Sequence, residues 1–161
     1  MPVSASEFRT ALRHFPTGVT VVTTRDAEGE PRGLTASAFT AVSLSPPLVL
    51  VCIDHQATTY SAFEQAGWFA VNMLSKSQEH LSRRFATTGG DKFVGVAFRE
   101  GRGRVPLLED AVASLQCRVV HKYAGGDHTI FVGEVEGAAV AGGSPLLYFC
   151  GTYHHLDEDL S

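Results

Sequence analysis

Two stretches late in the chain decide the fold: Leu115-Gln-Cys-Arg-Val-Val120 and, after the turn Ala124-Gly-Gly-Asp-His128, the segment Thr129–Val140. In the first stretch every second residue is apolar from Leu115 to Val119, the period that places one set of side chains on one face of a strand. The glycine-rich turn and the β-branched residues that follow complete the pattern. Together they predict a long antiparallel hairpin.

The segments before and after this hairpin also have the character of strands. We expect strands at six further stretches that are rich in β-branched or aromatic residues: Val19–Thr24, Arg32–Ala36, Phe39–Ser43, Leu48–Ile53, Trp68–Leu74 and Pro145–Phe149. The C-terminal tail is expected to begin at Gly151. About eight or nine mostly antiparallel strands in so short a chain favour a barrel that closes on itself.

Three short helices are expected between the strands. Ser4 and Glu7 form a capping box that starts the first helix, and Pro16-Thr-Gly18 ends it. The second helix is expected over Thr58–Ala66 with a threonine cap, and the third over Ser77–Phe85 with Ser77 as its cap.

Length and composition predict one domain over residues 1–161 and exclude several classes of protein. The net charge is −4, with 17 acidic and 13 basic side chains, which gives no electrostatic surface for a nucleic-acid backbone. Charged residues near the N-terminus argue against a signal peptide, and the longest apolar run, Leu48–Ile53, is too short to span a membrane. Cys52, Cys117 and Cys150 are too far apart to suggest disulfides. We therefore expect a cytoplasmic protein without nucleic-acid or membrane partners.

Motifs of several common enzyme classes are missing from the sequence. No G-x-G-x-x-G follows a strand, and neither a P-loop nor a G-x-S-x-G elbow occurs. His154 and His155 stand close to Asp157, Glu158 and Asp159, a composition that can bind a metal. A frayed acidic tail is the favoured interpretation, so we expect no metal site.

A run of small and hydroxyl-bearing residues, Gly33-Leu-Thr-Ala-Ser-Ala-Phe-Thr40, lies between two predicted strands. Small side chains let a flat ligand approach the backbone, and amides and hydroxyls can donate hydrogen bonds to its edge. A tight β-corner that needs small residues for packing explains the run equally well. By residue type alone, His128 at the hairpin tip has no assigned catalytic or binding role. The three cysteines are expected to fill space and not to react.

Two other places have residues that suit a phosphate group. Thr58 and Thr59 lie at a predicted helix start, where free amides and the helix dipole attract anions, although ordinary capping is the favoured explanation. Arg83 and Arg84 end the next predicted helix and can bind phosphate in a bidentate manner, although exposed arginines at a helix end are the favoured explanation there. The polar, glycine-rich stretch 86–95 that follows is expected to be a loop, the kind of segment that often carries binding residues.

Eight segments, taken in order, resemble the short-chain flavin reductase family, whose members supply reduced flavin to flavin-dependent monooxygenases in two-component systems. They extend over nearly the whole chain, and their common order and spacing make the match specific. The segments are Phe15-Pro-Thr-Gly-Val-Thr-Val-Val-Thr-Thr24, Gly33-Leu-Thr-Ala-Ser-Ala-Phe-Thr-Ala-Val-Ser43, Pro46-Pro-Leu-Val-Leu-Val-Cys52, Phe69-Ala-Val-Asn-Met-Leu74, Arg84-Phe-Ala86, Asp91-Lys-Phe93, Gly126-Asp-His-Thr-Ile-Phe-Val-Gly-Glu-Val135 and Pro145-Leu-Leu-Tyr148.

The resemblance implies a mostly β, antiparallel split barrel of the FMN-binding type with short helices, and a homodimer with flavin sites near the subunit interface. Family residues that match Thr35, Ala36, Ser37 and Ala38 lie along the isoalloxazine ring, and those that match Val51, Cys52 and Ile53 meet its pyrimidine edge. Those that match Thr58, Thr59, Arg84 and Phe85 lie near the ribityl phosphate, to which the charge pattern adds Arg83. The residue that matches His128 faces the nicotinamide and is the predicted catalytic residue. An aromatic residue that matches Tyr153 helps to hold the dinucleotide.

Two positions depart from the family pattern. Ala57 stands where serine is frequent, which moves the expected phosphate-binding hydroxyl to Thr58 or Thr59. Cys150 stands where a basic residue is frequent, which leaves the C-terminal contacts to the pyridine nucleotide open.

The predicted function is an NAD(P)H:flavin oxidoreductase that transfers a hydride to FMN or FAD and delivers reduced flavin to a partner monooxygenase. Two alternatives remain: a tight flavoprotein that serves another electron acceptor, and a non-catalytic protein that binds or stores flavin. The sequence does not choose between FMN and FAD. NADH is favoured over NADPH, because no arginine cluster accompanies His128 or Tyr153, although Lys122 is near.

Overall fold

Twelve strands and three α-helices make up the part of the chain that the structure, a computed structural model, describes, namely residues 1–156. Single turns of 3₁₀-helix occur at Lys76–Gln78 and Arg102–Arg104. In chain order the elements are α1 (Ala5–Leu12), β1 (Thr17–Gly18), β2 (Thr20–Arg25), β3 (Pro31–Ala36), β4 (Phe39–Leu44), β5 (Pro47–Asp54), α2 (Tyr60–Gln65), β6 (Trp68–Met73), α3 (Glu79–Phe85), β7 (Phe98–Glu100), β8 (Pro106–Leu108), β9 (Ala113–Gly125), β10 (His128–Val140), β11 (Leu146–Phe149) and β12 (Thr152–His155).

A seven-stranded antiparallel sheet with the strand order β3-β2-β6-β9-β10-β5-β4 forms the barrel. Its two edge strands, β3 and β4, are consecutive in the chain and are joined only by Ser37 and Ala38. So short a connection requires the sheet to curl until its edges meet. The backbone N–H of Cys52 donates to the carbonyl of Ala38 at 3.1 Å, which ties the connection to β5. We call Ser37, Ala38 and the adjoining strand ends the barrel seam.

The long hairpin predicted from the sequence is present as β9 and β10, each of 13 residues. Only Gly126 and Asp127 form its turn, and Gly126 has a φ of 70°, which glycine adopts without strain. The pairing of the two strands shifts between Val132 and Gly133. A Cβ atom at Gly133 would lie 2.6 Å from the Phe69 ring, so the absence of a side chain lets the hairpin pack closely onto β6.

Two hydrophobic clusters hold the site-forming elements in place. The barrel interior contains Phe69 and Phe131, together with Val51 and Ile53 of β5. A second cluster on the outside of β2 fixes α3 and the loop after it, since Phe85 and Phe93 are buried at either end of that loop. Their rings meet edge to face with centroids 5.0 Å apart. The loop between them is therefore anchored at both ends.

Several sequence-based expectations about local structure are wrong. Ser77 does not cap α3, because the helix begins at Glu79 after a 3₁₀ turn and Ser75 makes the hydrogen bond to the Gln78 side chain. The short strands β7 and β8 were missed. The chain does not become a tail at Gly151: Cys150 and Gly151 both have positive φ angles, 50° and 81°, and turn the chain back into β12.

The proposed acidic tail lies only partly within the described residues. His154 and His155 belong to β12, whereas Asp157, Glu158 and Asp159 lie outside the described residues. Within residues 1–156, no group of three or more His, Cys, Asp and Glu side chains is arranged to hold a metal ion. No helix in the same range is long and apolar enough to cross a membrane.

Candidate functional site

A cavity of about 370 Å³ opens at the barrel seam, a volume within the usual range for small-molecule sites. It lies between the seam, the end of β5, the segment before α2 and the loop after α3. The residues that line it are Leu34, Thr35, Ala36, Ser37, Ala38, Cys52, Asp54, Gln56, Ala57, Thr58, Thr59, Phe85, Ala86, Thr87, Thr88, Lys92 and His128.

Most of the site residues predicted from the sequence come together in this cavity. Those that line it are Thr35, Ala36, Ser37, Ala38, Cys52, Thr58, Thr59, Phe85 and His128. Five others do not line it: Val51, Ile53, Arg83, Arg84 and Tyr153. Residues of β5 alternate between the two faces of the sheet, so Val51 and Ile53 are fully buried in the barrel interior and only Cys52 between them reaches the cavity.

One end of the cavity, which we call the seam end, consists of Thr35–Ala38 with Cys52 and His128. The hydroxyl of Thr35 donates to the carbonyl of Ser82 at 2.6 Å, and that of Thr20 donates to the carbonyl of Ala36 at 2.5 Å. Thr35 is therefore already engaged and does not offer its hydroxyl proton to a ligand. Ser37 and Ala38 are exposed, so this end presents small side chains and backbone to whatever enters.

His128 borders the seam end from β10, where it stands opposite Asp54 of β5. Its Nδ1 lies 2.6 Å from the carboxylate of Asp127, and this hydrogen bond lowers the pKa of Asp127 below its ordinary value. An ionised carboxylate only accepts hydrogen bonds, so Nδ1 is the donor. No partner for Nε2 occurs within residues 1–156, and that nitrogen is available to a ligand.

The other end, which we call the loop end, consists of Thr58, Thr59, Thr87, Thr88 and Lys92. α2 begins at Tyr60 and not at Thr58, so Thr59 occupies its cap position, and the expected threonine cap is wrong because the Thr59 side chain makes no capping hydrogen bond. Its Oγ1 is buried and has no hydrogen-bond partner in the described part of the chain. A buried polar atom without a partner costs about 1–3 kcal/mol, a cost that a ligand group or an ordered water bound to this hydroxyl would remove.

Lys92 is the cation of the loop end. Its ammonium donates to the carbonyl of Phe85 at 3.3 Å, and no ion pair to it occurs within residues 1–156. Partial burial lowers the pKa of Lys92, because burial without a carboxylate disfavours the charged form. An anion at this position would compensate that cost. An unpaired cation next to an unpartnered hydroxyl is therefore suited to a phosphate group.

Sequence reasoning gave no role to Lys92, and it also missed Asp54, Gln56, Thr87 and Thr88. A signal for Lys92 was present, since Asp91-Lys-Phe93 is one of the segments that carry the family resemblance. The anchoring of Lys92 follows from its neighbours, because Asp91 accepts a hydrogen bond from the Phe93 N–H at 3.0 Å and Phe93 is buried.

Arg83, Arg84 and Tyr153 contact other parts of the chain and do not line the cavity. Arg83 makes an ion pair with Glu79 at 2.6 Å, and its guanidinium carbon lies 4.9 Å from the centre of the Tyr153 ring. Arg84 donates to the carbonyl of Val94 at 2.7 Å. The Tyr153 hydroxyl is hydrogen-bonded to Ser82 at 2.7 Å. All three side chains are thus engaged within the chain, outside the cavity.

Comparison with known proteins identifies the class to which this fold and site belong. Residues 12–157 match the model of the flavin reductase like domain, and the chain belongs to this family. The predicted resemblance and the split-barrel fold class are both confirmed.

Individual relatives share most of the length of the chain. The reductase component of a 4-nitrophenol 4-monooxygenase/4-nitrocatechol 2-monooxygenase from Rhodococcus opacus is 43% identical over 155 residues, which is 96% of this chain and 83% of that protein. A flavin reductase (NADH) from Kitasatospora aureofaciens is 43% identical over 98% of this chain and 85% of its own. The structure of the NADH:FAD oxidoreductase SgcE6 of Streptomyces globisporus C-1027, in complex with NAD and FAD fragments, superimposes with a TM-score of 0.90 at 39% identity, over 100% of this chain and 99% of that one.

Proposed function

We propose that this protein binds a flavin in the seam cavity, reduces it with NADH and releases the reduced flavin to a partner monooxygenase. Its class is that of the NADH-dependent flavin reductases, in agreement with the activity predicted from the sequence. What we add is the assignment of the cavity, the orientation of the flavin in it and the roles of individual residues.

The observation that carries this assignment is the contrast between the two ends of the cavity. The seam end offers small residues and backbone to a flat ring, with Ala38 exposed and Cys52 beside it. The loop end offers the unpaired ammonium of Lys92 and the unpartnered hydroxyl of Thr59. A molecule with a flat ring at one end and a phosphate at the other fits both, and phosphorylated flavins have this form.

The chemistry supplied by the bound flavin is the acceptance of a hydride from NADH, which yields NAD⁺ and reduced flavin after uptake of one proton. The protein itself contributes the relative positions of the flavin and the nicotinamide. Residues of the seam end hold the ring against the backbone, and Lys92 and Thr59 hold the phosphate. His128, oriented by Asp127 through its Nδ1–H, is placed to accept at Nε2 a hydrogen bond from the amide group of the nicotinamide carboxamide. Such binding brings the reacting atoms together without an acid–base pair.

The flavin substrate is FMN or FAD, and the partner is a flavin-dependent monooxygenase that receives the reduced flavin by diffusion or transient contact. The alternatives are a tightly held flavin that serves another acceptor and a storage protein without turnover. The openness of the seam end, where Ser37 and Ala38 are exposed, favours a flavin that exchanges with solution. The predicted cytoplasmic location remains a prediction.

One assay separates these functions. Protein freed of flavin is mixed with NADH and increasing FMN or FAD while the nicotinamide absorbance is followed. We expect turnover that saturates with added flavin. Turnover that requires a separate electron acceptor would support the tight flavoprotein, and flavin binding without NADH oxidation would support storage.

We also propose that two copies of the chain form a homodimer through α1. The sequence gives this helix an apolar face, yet none of its residues is buried: Phe8 and Leu12 are 55% and 53% exposed, and Phe15, just after the helix, is 72% exposed. Leu12 and Phe15 line a separate, largely apolar hollow of about 490 Å³ beside α1, which reaches Ser37, Ala38 and Cys52. A second copy that covered this face would therefore lie next to the flavin site.

The mass of the protein in solution, measured by light scattering, tests the homodimer. We expect twice the chain mass for the parent and a monomer for Phe15→Asp. A matched exposed control is Val140→Asp at the end of β10, which should remain dimeric. A parent protein of single-chain mass at micromolar concentration would contradict the homodimer.

A further inference from the structure

A second cavity continues the groove beyond the loop end. It has a volume of about 200 Å³ and shares Thr58, Thr59 and Lys92 with the seam cavity. Its remaining walls are Pro31, Arg32 and Gly33 of β3 and Gly89, Gly90 and Phe93 of the loop. Each of these walls is adjacent in the chain to a wall of the seam cavity, which is lined by residues 34–36 of β3 and 86–88 of the loop. The two cavities are therefore successive parts of one groove.

The groove continues beyond the residues proposed to hold the flavin phosphate. Ala36 and Pro31 are the two ends of β3, so at about 3.3 Å per residue the groove follows the strand for about 17 Å. A flavin whose ring lies at the seam end and whose phosphate lies at Lys92 stops at the residues that the two cavities share. The second cavity then lies beyond the end of FMN.

The second cavity also contains a cation of its own. Arg32 donates from Nε to the Asp26 carboxylate at 2.8 Å, and its two terminal nitrogens have no hydrogen-bond partner within residues 1–156. Lys92 borders both cavities, whereas Arg32 borders only the second. Two cations follow one another along the groove with donor groups still available, and this arrangement matches two consecutive phosphates.

We propose that the groove is built for the dinucleotide flavin, with Lys92 and Thr59 at the first phosphate, Arg32 at the second, and FAD bound in preference to FMN. The inference rests on the proposed placement of flavin in the seam cavity. It names Arg32 as the residue that distinguishes the two flavins, because FMN ends before reaching it.

Equilibrium binding of riboflavin, FMN and FAD, measured by calorimetry without NADH, tests this inference. For the parent protein we expect FAD to bind about tenfold or more tightly than FMN, since a hydrogen bond to a charged group is lost in FMN. Arg32→Gln should weaken FAD about tenfold and leave FMN unchanged. Lys92→Gln should weaken FMN and FAD by similar factors and leave riboflavin, which has no phosphate, unchanged.

The control for Arg32→Gln is Asp26→Asn, which breaks the same ion pair but keeps the arginine. We expect this variant to retain the preference for FAD, and a loss of preference in both variants would show that the ion pair only supports the fold. Equal parental affinities for FMN and FAD, or an Arg32→Gln variant that weakens both equally, would overturn the inference while leaving the reductase function intact. Preference for FAD without NADH oxidation would contradict the reductase function and leave this inference standing.

Discussion

The two ends of the seam cavity differ in the partners of three polar groups: Thr35 at the seam end, and Thr59 and Lys92 at the loop end. At the seam end, the hydroxyl of Thr35 is bound to Ser82 and that of Thr20 to Ala36. At the loop end, the hydroxyl of Thr59 and the ammonium of Lys92 have no such partner, apart from one carbonyl contact to Lys92 at 3.3 Å. The threonine hydroxyls at the first end are thus held by the protein itself, whereas Thr59 and Lys92 at the second would be satisfied by the phosphate of the proposed flavin.

This difference indicates two kinds of recognition within one site. A rigid, small-residue surface selects a ligand by shape, and every flavin presents the same ring to it. Unpaired polar groups select by charge, and only phosphorylated flavins satisfy them. Substitutions at the two ends should therefore differ in which flavins they affect, and added bulk at the seam end should cost more affinity than a lost charge at the loop end.

The largest effect is expected from bulk at the seam end. Ala38→Leu should weaken riboflavin, FMN and FAD alike by at least about a hundredfold, because the added atoms occupy the space of the ring. Ala38 is exposed, so the variant should fold normally, whereas Ala36 is 8% exposed and belongs to the barrel core. Fluorescence titration of each flavin measures the effect.

The matched control is Ala138→Leu, at an exposed alanine of β10 that does not line the cavity. It should bind all three flavins as the parent does. If Ala38→Leu affected only FMN and FAD, the seam end would hold phosphate rather than the ring, and the orientation proposed here would be reversed.

A smaller effect, confined to NADH, is expected at His128. His128→Ala should lower kcat/KM for NADH by about ten- to a hundredfold, since misplacement by about 1 Å can cost a hundredfold in rate. Flavin affinity should stay within about threefold, because the hydrogen bond accepted at Nε2 comes from the nicotinamide and not from the flavin. Steady-state kinetics with varied NADH at saturating flavin measure the first quantity, and a titration measures the second.

His121→Ala supplies the comparison, because His121 lies on the same hairpin but outside the cavity. Parental NADH kinetics are expected for it. Asp127→Asn should lower kcat/KM for NADH more than His121→Ala and less than His128→Ala. The asparagine still offers an acceptor to Nδ1 but lacks the charge that strengthens this hydrogen bond. Parental kinetics in His128→Ala would make this histidine a solvent-facing turn residue.

The seam end was accessible from the sequence because it depends on local order in the chain. Residues 35–38 are contiguous, their small size is visible in the letters, and alternation in β5 brings Cys52 to the same place. The loop end was only partly accessible. Thr59 could be placed at a helix start, but the missing partner of its hydroxyl is a property of packing, which no spacing rule describes.

Arg83 and Lys92 show the same limit for charged residues. A pair of arginines at a helix end has the composition of a phosphate site, and a single lysine in a polar loop does not. In the tertiary structure it is the lysine that is free to bind an anion. Arg83 contacts Glu79 and the Tyr153 ring, whereas Lys92 contacts no carboxylate within residues 1–156. β7, β8 and β12 were missed for a related reason, because strands of three or four residues carry too little periodicity to be recognised.

The cysteines provide a test of the seam end that requires no substitution. Burial raises the pKa of Cys117 to about 12, so this thiol stays protonated at mildly alkaline pH and should resist alkylation. Cys150 is exposed and Cys52 is half-buried in the cavity wall. FMN at about ten times its Kd should slow alkylation of Cys52 about tenfold, because only the unliganded fraction reacts.

Peptide mass spectrometry of the alkylated protein separates the three sites. Cys150 should react at the same rate with and without FMN, which controls for loss of reagent. Equal protection of Cys52 and Cys150 would indicate a change in the whole protein, and no protection of Cys52 would remove it from the flavin site.

The smallest effect is expected from the arginine pair that the sequence offered, beside Thr58 and Thr59, as a phosphate-binding candidate. A protein carrying both Arg83→Ala and Arg84→Ala should bind FMN within about threefold of the parent, because exposed ion pairs of this kind contribute little and neither side chain lines the cavity. The matched comparison is Lys92→Gln, expected to lose about tenfold by removing one charge-assisted hydrogen bond. Binding is again measured by titration of FMN, with riboflavin as the ligand that lacks the phosphate. A loss of FMN affinity in the arginine variant that spared riboflavin would restore these arginines to the phosphate site and show that α3 shifts towards the groove when flavin binds.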